Sequence, residues 1–217
     1  PGIDLAVTLY ACWRIGAVAV LIDSGLGPAG MSAAIRAAAP AYLVGIPKAL
    51  VAARALRWPG RRISTRTLRA PGLLDVVGDL PTLRTATAPL PPPPTTADEA
   101  AVVFTSGATG PSKGVRYTHG RLTAQRDVLA GLYDVTPDDR LVAAFAPFAL
   151  YGPAAGIPSV VPDMDVARPG TLTATALGDA AVAVDATLVF ASPAALANVV
   201  ATRDALTEAH RAAFARV

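Results

Sequence analysis

Ten consecutive residues, Thr105-Ser106-Gly107-Ala108-Thr109-Gly110-Pro111-Ser112-Lys113-Gly114, follow the apolar run Ala100-Ala101-Val102-Val103-Phe104. Gly107, Gly110 and Gly114 allow positive φ and close approach of the backbone to a ligand. The hydroxyls of Thr105, Ser106 and Thr109, with successive backbone N–H groups, can converge on phosphate oxygens. Lys113 adds a charge-assisted contact worth roughly 1.5–3 kcal/mol, so its loss weakens phosphate binding about ten- to a hundredfold. Only Lys48 and Lys113 among the 19 basic residues are lysines, which sharpens the meaning of a lysine inside this loop. An isolated Gly/Ser/Thr cluster between two elements reads as a turn, whereas ten residues in this order after a strand read as a phosphate loop. It is not a Walker A loop, which needs Gly-Lys followed by Ser or Thr where this chain has Lys113-Gly114. No Gly-x-Gly-x-x-Gly follows a strand, so a dinucleotide dehydrogenase has no support.

Other chemistry-bearing residues are weaker signals. His119 stands just after the loop, at the expected start of a helix, and reads as a structural or supporting residue. Asp163 and Asp165 are two carboxylates without further ligands, a pattern typical of turns and caps, so no metal site is assigned. Cys12 is the single cysteine and cannot form an internal disulfide; within Leu9-Tyr10-Ala11-Cys12-Trp13 it reads as a small buried hydrophobe, and a reducing cytoplasm is expected.

The elements that must position the loop follow from periodicity. Leu5, Leu9, Cys12, Trp13 and Ile15 recur at helical spacing from Asp4 to Ile15, and Ala17–Ile22 reads as a buried strand. A helix over Met31–Ala38, a strand over Tyr42–Ile46 and a helix opened by Pro47 and running to about Leu56 come next. From Arg69 to Thr96 the pattern degrades into Pro/Gly-rich sequence ending in Pro89-Leu90-Pro91-Pro92-Pro93-Pro94, an extended, stiff connector. Ala100–Phe104 is then a strand and Thr118–Leu132 a helix whose apolar face carries Leu122, Val128, Leu129 and Leu132. Further strands are expected at Leu141–Phe145, Ser159–Val161 and Thr187–Phe190, with helices at Thr171–Asp179 and Pro193–Thr202. The alternation predicts an α/β fold of parallel sheets flanked by helices. It divides as 1–88, a connector at 89–99, and 100–217 beginning with the phosphate loop.

At 217 residues and 53% hydrophobic composition, the chain has ample material for a core and disorder is not expected. The net charge of +3 comes from scattered cations with no Lys/Arg run interleaved with aromatics, so nucleic acid is not an expected partner. Ala143–Pro162 lacks charge, but Pro147, Pro153, Pro158 and Pro162 interrupt it, and no transmembrane span is expected. The chain opens at Pro1-Gly2 without methionine and reads as starting within a longer protein.

The run Phe104–Val115 resembles the signature loop of the acyl-CoA synthetase, luciferase and nonribosomal-peptide adenylation superfamily. One departure is Ala108, where that family carries Ser or Thr, so one hydroxyl contact is replaced by backbone N–H groups. Gly2-Ile3-Asp4-Leu5 and Gly16-Ala17-Val18 also resemble the superfamily. Gly45-Ile46-Pro47-Lys48, Pro147–Ala154 and Val161-Pro162-Asp163-Met164-Asp165 look most like its olefin-pathway β-lactone synthetases. The resemblance covers almost the whole chain and places it in the large N-terminal domain of an adenylate-forming enzyme.

The resemblance implies ATP and Mg2+ as cofactors and a small-molecule fatty acid as substrate. Its carboxylate attacks the α-phosphorus to give an acyl-adenylate, and in β-lactone synthetases the β-hydroxyl then closes a lactone and releases AMP. Thr105, Ser106, Gly107, Thr109, Gly110 and Lys113 are the implied phosphate-binding residues, with Lys113 the catalytic one. Phe148, Tyr151 and Gly152 are implied in the acyl pocket, beside Leu150; for Phe148 and Leu150 plain core packing competes. Partner enzymes of a hydrocarbon or lactone pathway are implied as well. The family's magnesium-holding, ribose-binding and C-terminal lysine motifs do not occur within these residues, so this chain alone is expected to be inactive in full adenylation. A long-chain acyl-CoA or acyl-AMP ligase is the alternative of the same class, and a non-catalytic nucleotide- or acyl-binding remnant the alternative of another.

Overall fold

In the computed structural model, described for residues 2–22, 24–105, 113–165 and 168–217, the chain divides into two units, residues 7–120 and residues 1–6 with 121–217.

The helix expected at the start is α1 (Ile3–Arg14), and the strand after it, β1 (Ala19–Ile22), is shorter than the apolar run that announced it. α2 (Gly27–Ala38) begins a turn before the expected Met31 because Pro28 supplies a first-turn residue that needs no N–H partner. β2 (Tyr42–Gly45) leads through an extended Ile46 into α3 (Pro47–Ala55), opened by its proline as anticipated. Two strands are then found where none was expected, β3 (Arg61–Ser64) and β4 (Val76–Asp79), followed by one turn of helix, α4 (Leu80–Leu83). β3 reads Arg-Arg-Ile-Ser and lacks an apolar signature, yet Arg62 and Ser64 are its buried positions. Arg62 reaches that environment because its guanidinium donates to Asp75 Oδ2 (3.0 Å) and to the Leu74 carbonyl (3.3 Å). A buried charge tolerates desolvation only when paired in this way. β2, β3 and β4 form one parallel sheet in that order.

The second sheet of this unit has the order β1-β5-β6, where β5 is Glu99–Thr105 and β6 is Lys113–Thr118. β1 and β5 are parallel, as expected, but β6 runs antiparallel to β5. The expectation of a loop entering directly into a helix is therefore corrected: a strand comes first. Its sequence, Lys-Gly-Val-Arg-Tyr-Thr, is exposed over its first four residues and carries no buried alternation.

The other unit holds most of α5 (His119–Leu132), and a parallel sheet of order β8-β7-β9, with β7 at Leu141–Ala144, β8 at Ser159–Val160 and β9 at Leu188–Ala191. α6 (Tyr151–Ala155), α7 (Ala174–Val184), α8 (Pro193–Ala201) and α9 (Glu208–Phe214) complete it. α7 begins three residues after the expected Thr171 and ends five residues past the expected Asp179, and α9 was not expected. The face expected on α5 is also corrected, since Val128 and Leu132 are exposed. Capping is local and legible: Thr173, Ser192 and Thr207 each accept a backbone N–H at the start of α7, α8 and α9. β7 is buried on both faces. Val142 and Ala144 join a cluster with Leu172, Leu177, Ala181 and Ala195, while Leu141 and Ala143 face Ile157, Phe148, Tyr151 and Phe190. The period of two along a strand separates these faces.

Candidate functional site

Two places in the fold are built for chemistry, one in each unit. In the 7–120 unit, β5 and β6 pair antiparallel and stand on either side of the glycine-rich segment in sequence. Thr105 is in register with Lys113, Phe104 with Gly114 and Val103 with Val115. Ser106, Gly107, Thr109 and Gly110 lie outside the described residues, while the strands that deliver them are defined. Lys113 is the first residue of β6 and is exposed.

Gly114 serves a purpose other than the expected one. It is not among the glycines with positive φ. A Cβ there would come within 2.9 Å of Val102 Cγ1 and 3.1 Å of Phe104 Cζ, so the missing side chain lets Phe104 fold across the hairpin.

The other end of the β5–β6 pair is pinned by contacts of Ala100, Glu99 and Asp98. Trp13 Nε1 donates to the Ala100 carbonyl (3.0 Å), tying α1 to β5. Arg116 pairs with Glu99 across the two strands and holds that carboxyl below its usual range. The Asp98 carboxylate accepts from the Thr95 backbone N–H (2.7 Å) and hydroxyl (2.9 Å), which lower its pKa in that order of weight, and the Asp98 carbonyl accepts from His119 N–H (3.0 Å). His119 Nε2 is buried and has no partner among the described residues.

In the other unit an apolar cavity of about 220 Å³ lies on the Leu141 face of the sheet. Phe148 and Tyr151, both read from the sequence, line it, together with Tyr133, Leu188, Phe190 and Leu196. Phe190 is stacked on Phe148 with centroids 3.4 Å apart and planes 5° from parallel, and Phe148 meets Tyr151 at 5.5 Å. The Tyr151 hydroxyl donates to the Arg126 carbonyl of α5 (3.2 Å), which fixes its ring; burial pushes the phenol above its ordinary pKa and keeps it protonated. Gly152 is placed differently. It is buried against β8, where a Cβ would come within 2.4 Å of Ser159 Cβ, and it does not line the cavity. Phe190 was missed by sequence reasoning, although the alternation of Leu188 and Phe190 along the expected strand was a signal for it.

Asp165 is engaged by Arg168 Nε (2.7 Å), and among the described residues no group of three or more His, Cys, Asp or Glu could hold a metal ion.

The paired strands that flank the glycine-rich segment and the aromatic-walled cavity belong to an α/β protein. The chain belongs to the AMP-binding enzyme family, which matches residues 1–212. It is 36% identical over 199 residues to the olefin beta-lactone synthetase of Xanthomonas campestris, covering 89% of this chain and 35% of that protein. The Stenotrophomonas maltophilia protein of the same name is 33% identical over 196 residues, covering 89% and 36%. The chain thus spans about a third of the length of these curated relatives.

Among solved structures, an acyl-CoA synthetase of Brucella canis superposes with a TM-score of 0.73 at 19% identity, over 91% of this chain and 37% of that one. The O-succinylbenzoate coenzyme A synthetase of Bacillus subtilis in complex with ATP and magnesium ion gives 0.68 at 17%, over 96% and 41%. The fold is that of the N-terminal domain of adenylate-forming enzymes. No described helix is long and apolar enough to cross a membrane.

Proposed function

We propose that this chain carries the phosphate-binding and acyl-binding parts of an enzyme that activates a fatty β-hydroxy acid with ATP and closes it to a β-lactone. The observation that carries the reading is the β5–β6 hairpin, which presents the glycine-rich loop between paired strands with exposed Lys113 at its exit. The two relatives named olefin beta-lactone synthetase support the choice of product.

On this reading a carboxylate oxygen of the acid forms a bond to the α-phosphorus of ATP as the bond to pyrophosphate breaks. The β-hydroxyl oxygen then bonds to the acyl carbon, its proton leaves to solvent, and AMP departs with its electron pair. Thr105, Ser106, Gly107, Thr109, Gly110 and Lys113 bind the β- and γ-phosphates. Lys113 supplies positive charge where the leaving pyrophosphate gathers negative charge, which is catalysis by positioning and electrostatics. Mg2+, when bound, neutralises phosphate charge, and no described residue of this chain is assigned to hold it. Phe148, Tyr151 and Phe190 hold the apolar chain of the acid, and Gly152 acts indirectly by letting α6 close on β8. The cavity of about 220 Å³ is below the usual range of roughly 300–1,000 Å³ for small-molecule sites, so it holds part of a long acyl chain.

The test is to incubate the protein in its full reading frame with MgATP and a racemic long-chain β-hydroxy acid, without coenzyme A, and follow AMP, pyrophosphate and lactone by mass spectrometry. Lactone formed without thiol, and lost in Lys113→Ala, is expected. AMP released only when coenzyme A is added assigns the protein to acyl-CoA ligases instead, and no nucleotide turnover with any acid makes it a binding remnant.

A further inference from the structure

The lining of the apolar cavity on the Leu141 face is not uniform. Among the described residues around it, Tyr133 and Tyr151 carry the polar side-chain groups, and every other side chain there is aliphatic or a phenyl ring. Leu141 and Ile157 are its most buried members, each 4% exposed, whereas Tyr133 is 53% exposed. The two phenols are neighbours: burial first, and Tyr133 in smaller part, push the Tyr151 phenol above its ordinary pKa. The cavity therefore has a phenol-bearing rim and a hydrocarbon floor. A hydroxyl buried among aliphatic side chains loses its hydration without a replacement bond. A ligand with one polar and one apolar end accordingly lies with the apolar end at Leu141 and Ile157 and the polar end at the tyrosines.

The hydrogen bonding of the two phenols differs in a way that suits one functional group. Tyr151 donates its single proton to the Arg126 carbonyl (3.2 Å), so toward a further partner its oxygen is an acceptor. The Tyr133 hydroxyl has no hydrogen-bond partner among the described residues and keeps a proton to donate. A carboxylate only accepts and an ammonium only donates, whereas an alcohol does both. One alcohol can therefore donate to Tyr151 and accept from Tyr133. The cation that acts on the Tyr151 phenol, Arg126, is already engaged, its Nε and Nη2 both donating to Asp127 Oδ1 (2.8 and 2.6 Å). This end of the cavity is thus suited to a hydroxyl rather than to the carboxylate of an acid.

We propose that Tyr133 and Tyr151 recognise the β-hydroxyl of an acid whose hydrocarbon tail lies toward Leu141 and Ile157, and so select hydroxy acids over plain fatty acids. The proposal rests on reading this cavity as the acyl site and names the groups that choose its substrate. It is tested by binding without ATP. The protein in its full reading frame is titrated calorimetrically with a long-chain β-hydroxy acid, with the acid of the same length lacking the hydroxyl, and with the acid hydroxylated on its last carbon instead. The β-hydroxy acid should bind about three- to tenfold more tightly than the plain acid, the net effect of one hydrogen bond. The terminally hydroxylated acid should bind most weakly, because its hydroxyl meets the aliphatic floor. Tyr133→Phe and Tyr151→Phe should each bring the ratio of the first two affinities toward one; Tyr133 is exposed, so its variant reads that ratio in a protein whose thermal midpoint is unchanged. Equal binding of the three acids, binding of none, or a ratio that both variants leave as it was overturns the proposal; so does weakening of the hydroxy and plain acids by the same factor, which assigns the tyrosines to packing. A hydroxyl preference in a protein that makes no lactone upholds the proposal and sinks only the product assigned above, whereas lactone formed without any hydroxyl preference overturns the proposal and spares that product.

Discussion

Two glycines set how closely elements approach in the cavity-bearing unit, and both make sharp predictions. Gly152 has Ser159 where its Cβ would stand, at 2.4 Å, and Gly178 has the His210 ring, at 2.6 Å to Cγ. Gly152→Ala should lower stability by about 1–3 kcal/mol, the usual cost of overpacking, read as a fall in the thermal midpoint; an unchanged midpoint would show that β8 yields freely. His210 carries a different burden. Its Nδ1 accepts from Thr207 N–H (3.3 Å), so the ring proton sits on Nε2, facing Asp179 Oδ1 at 3.0 Å. His210→Ala removes both contacts and should cost more than His210→Gln, which can keep one; equal midpoints for the two would sink that assignment. At the cavity, Phe190→Ala removes the ring stacked on Phe148 and should weaken binding of a long-chain acid without altering Lys113-dependent phosphate binding, measured by calorimetry with the acid and with ATP separately. The sequence made Phe148 and Tyr151 legible because they stand together in one segment that resembles a family's acyl pocket. Phe190, some forty residues on, reaches them only through parallel pairing of β7 with β9.

Among the elements, the loop between α5 and β7 supplies a pH-dependent brace. Asp139 accepts from Thr136 N–H (2.7 Å) and hydroxyl (3.0 Å) and from the Thr187 hydroxyl (2.7 Å), joining the entries of β7 and β9. The Thr136 backbone bond, then the Thr187 bond, hold its carboxyl below the ordinary value of 3.8. A depressed folded-state pKa adds stability that is present above the unfolded value and lost as pH falls through the folded one. The thermal midpoint should therefore fall as pH drops from about 5 to below 3.8, and Asp139→Asn should flatten that part of the curve; a parallel fall in the variant would assign the loss to other carboxylates. Helices with a proline or hydroxyl at their start, such as α3 and α8, were readable from local chemistry. β3 and β6 were not, because Arg-Arg-Ile-Ser and Lys-Gly-Val-Arg-Tyr-Thr carry no apolar run. They are strands by virtue of partners: Asp75 neutralises Arg62, and β5 templates the ladder of β6. α9 is two turns long, too short to read from periodicity, and is held by the Thr207 capping box and the His210 contact with Asp179.

Over the whole chain the net charge of +3 conceals a division, since the cations gathered between residues 36 and 84 are balanced by acids elsewhere. That concentration is present in the sequence itself, and reading the charge as scattered missed it because the nine cations, all but Arg61 and Arg62 standing singly, form no longer Lys/Arg run. Like charges so concentrated repel one another across about 10 Å at 0.1 M salt but only about 3 Å at 1 M. Unfolding of the 7–120 unit should therefore shift to higher temperature over that salt range, and a shift in the opposite direction would contradict the charge argument. The reporter for that measurement is already in place. Both tryptophans of the chain, Trp13 and Trp58, lie in this unit, one donating to the Ala100 carbonyl and the other to Ser32 Oγ, each at 3.0 Å. The unit that bears the aromatic cavity contains no indole, so under selective excitation it is dark, and the emission of these 217 residues is a signal from the 7–120 unit alone.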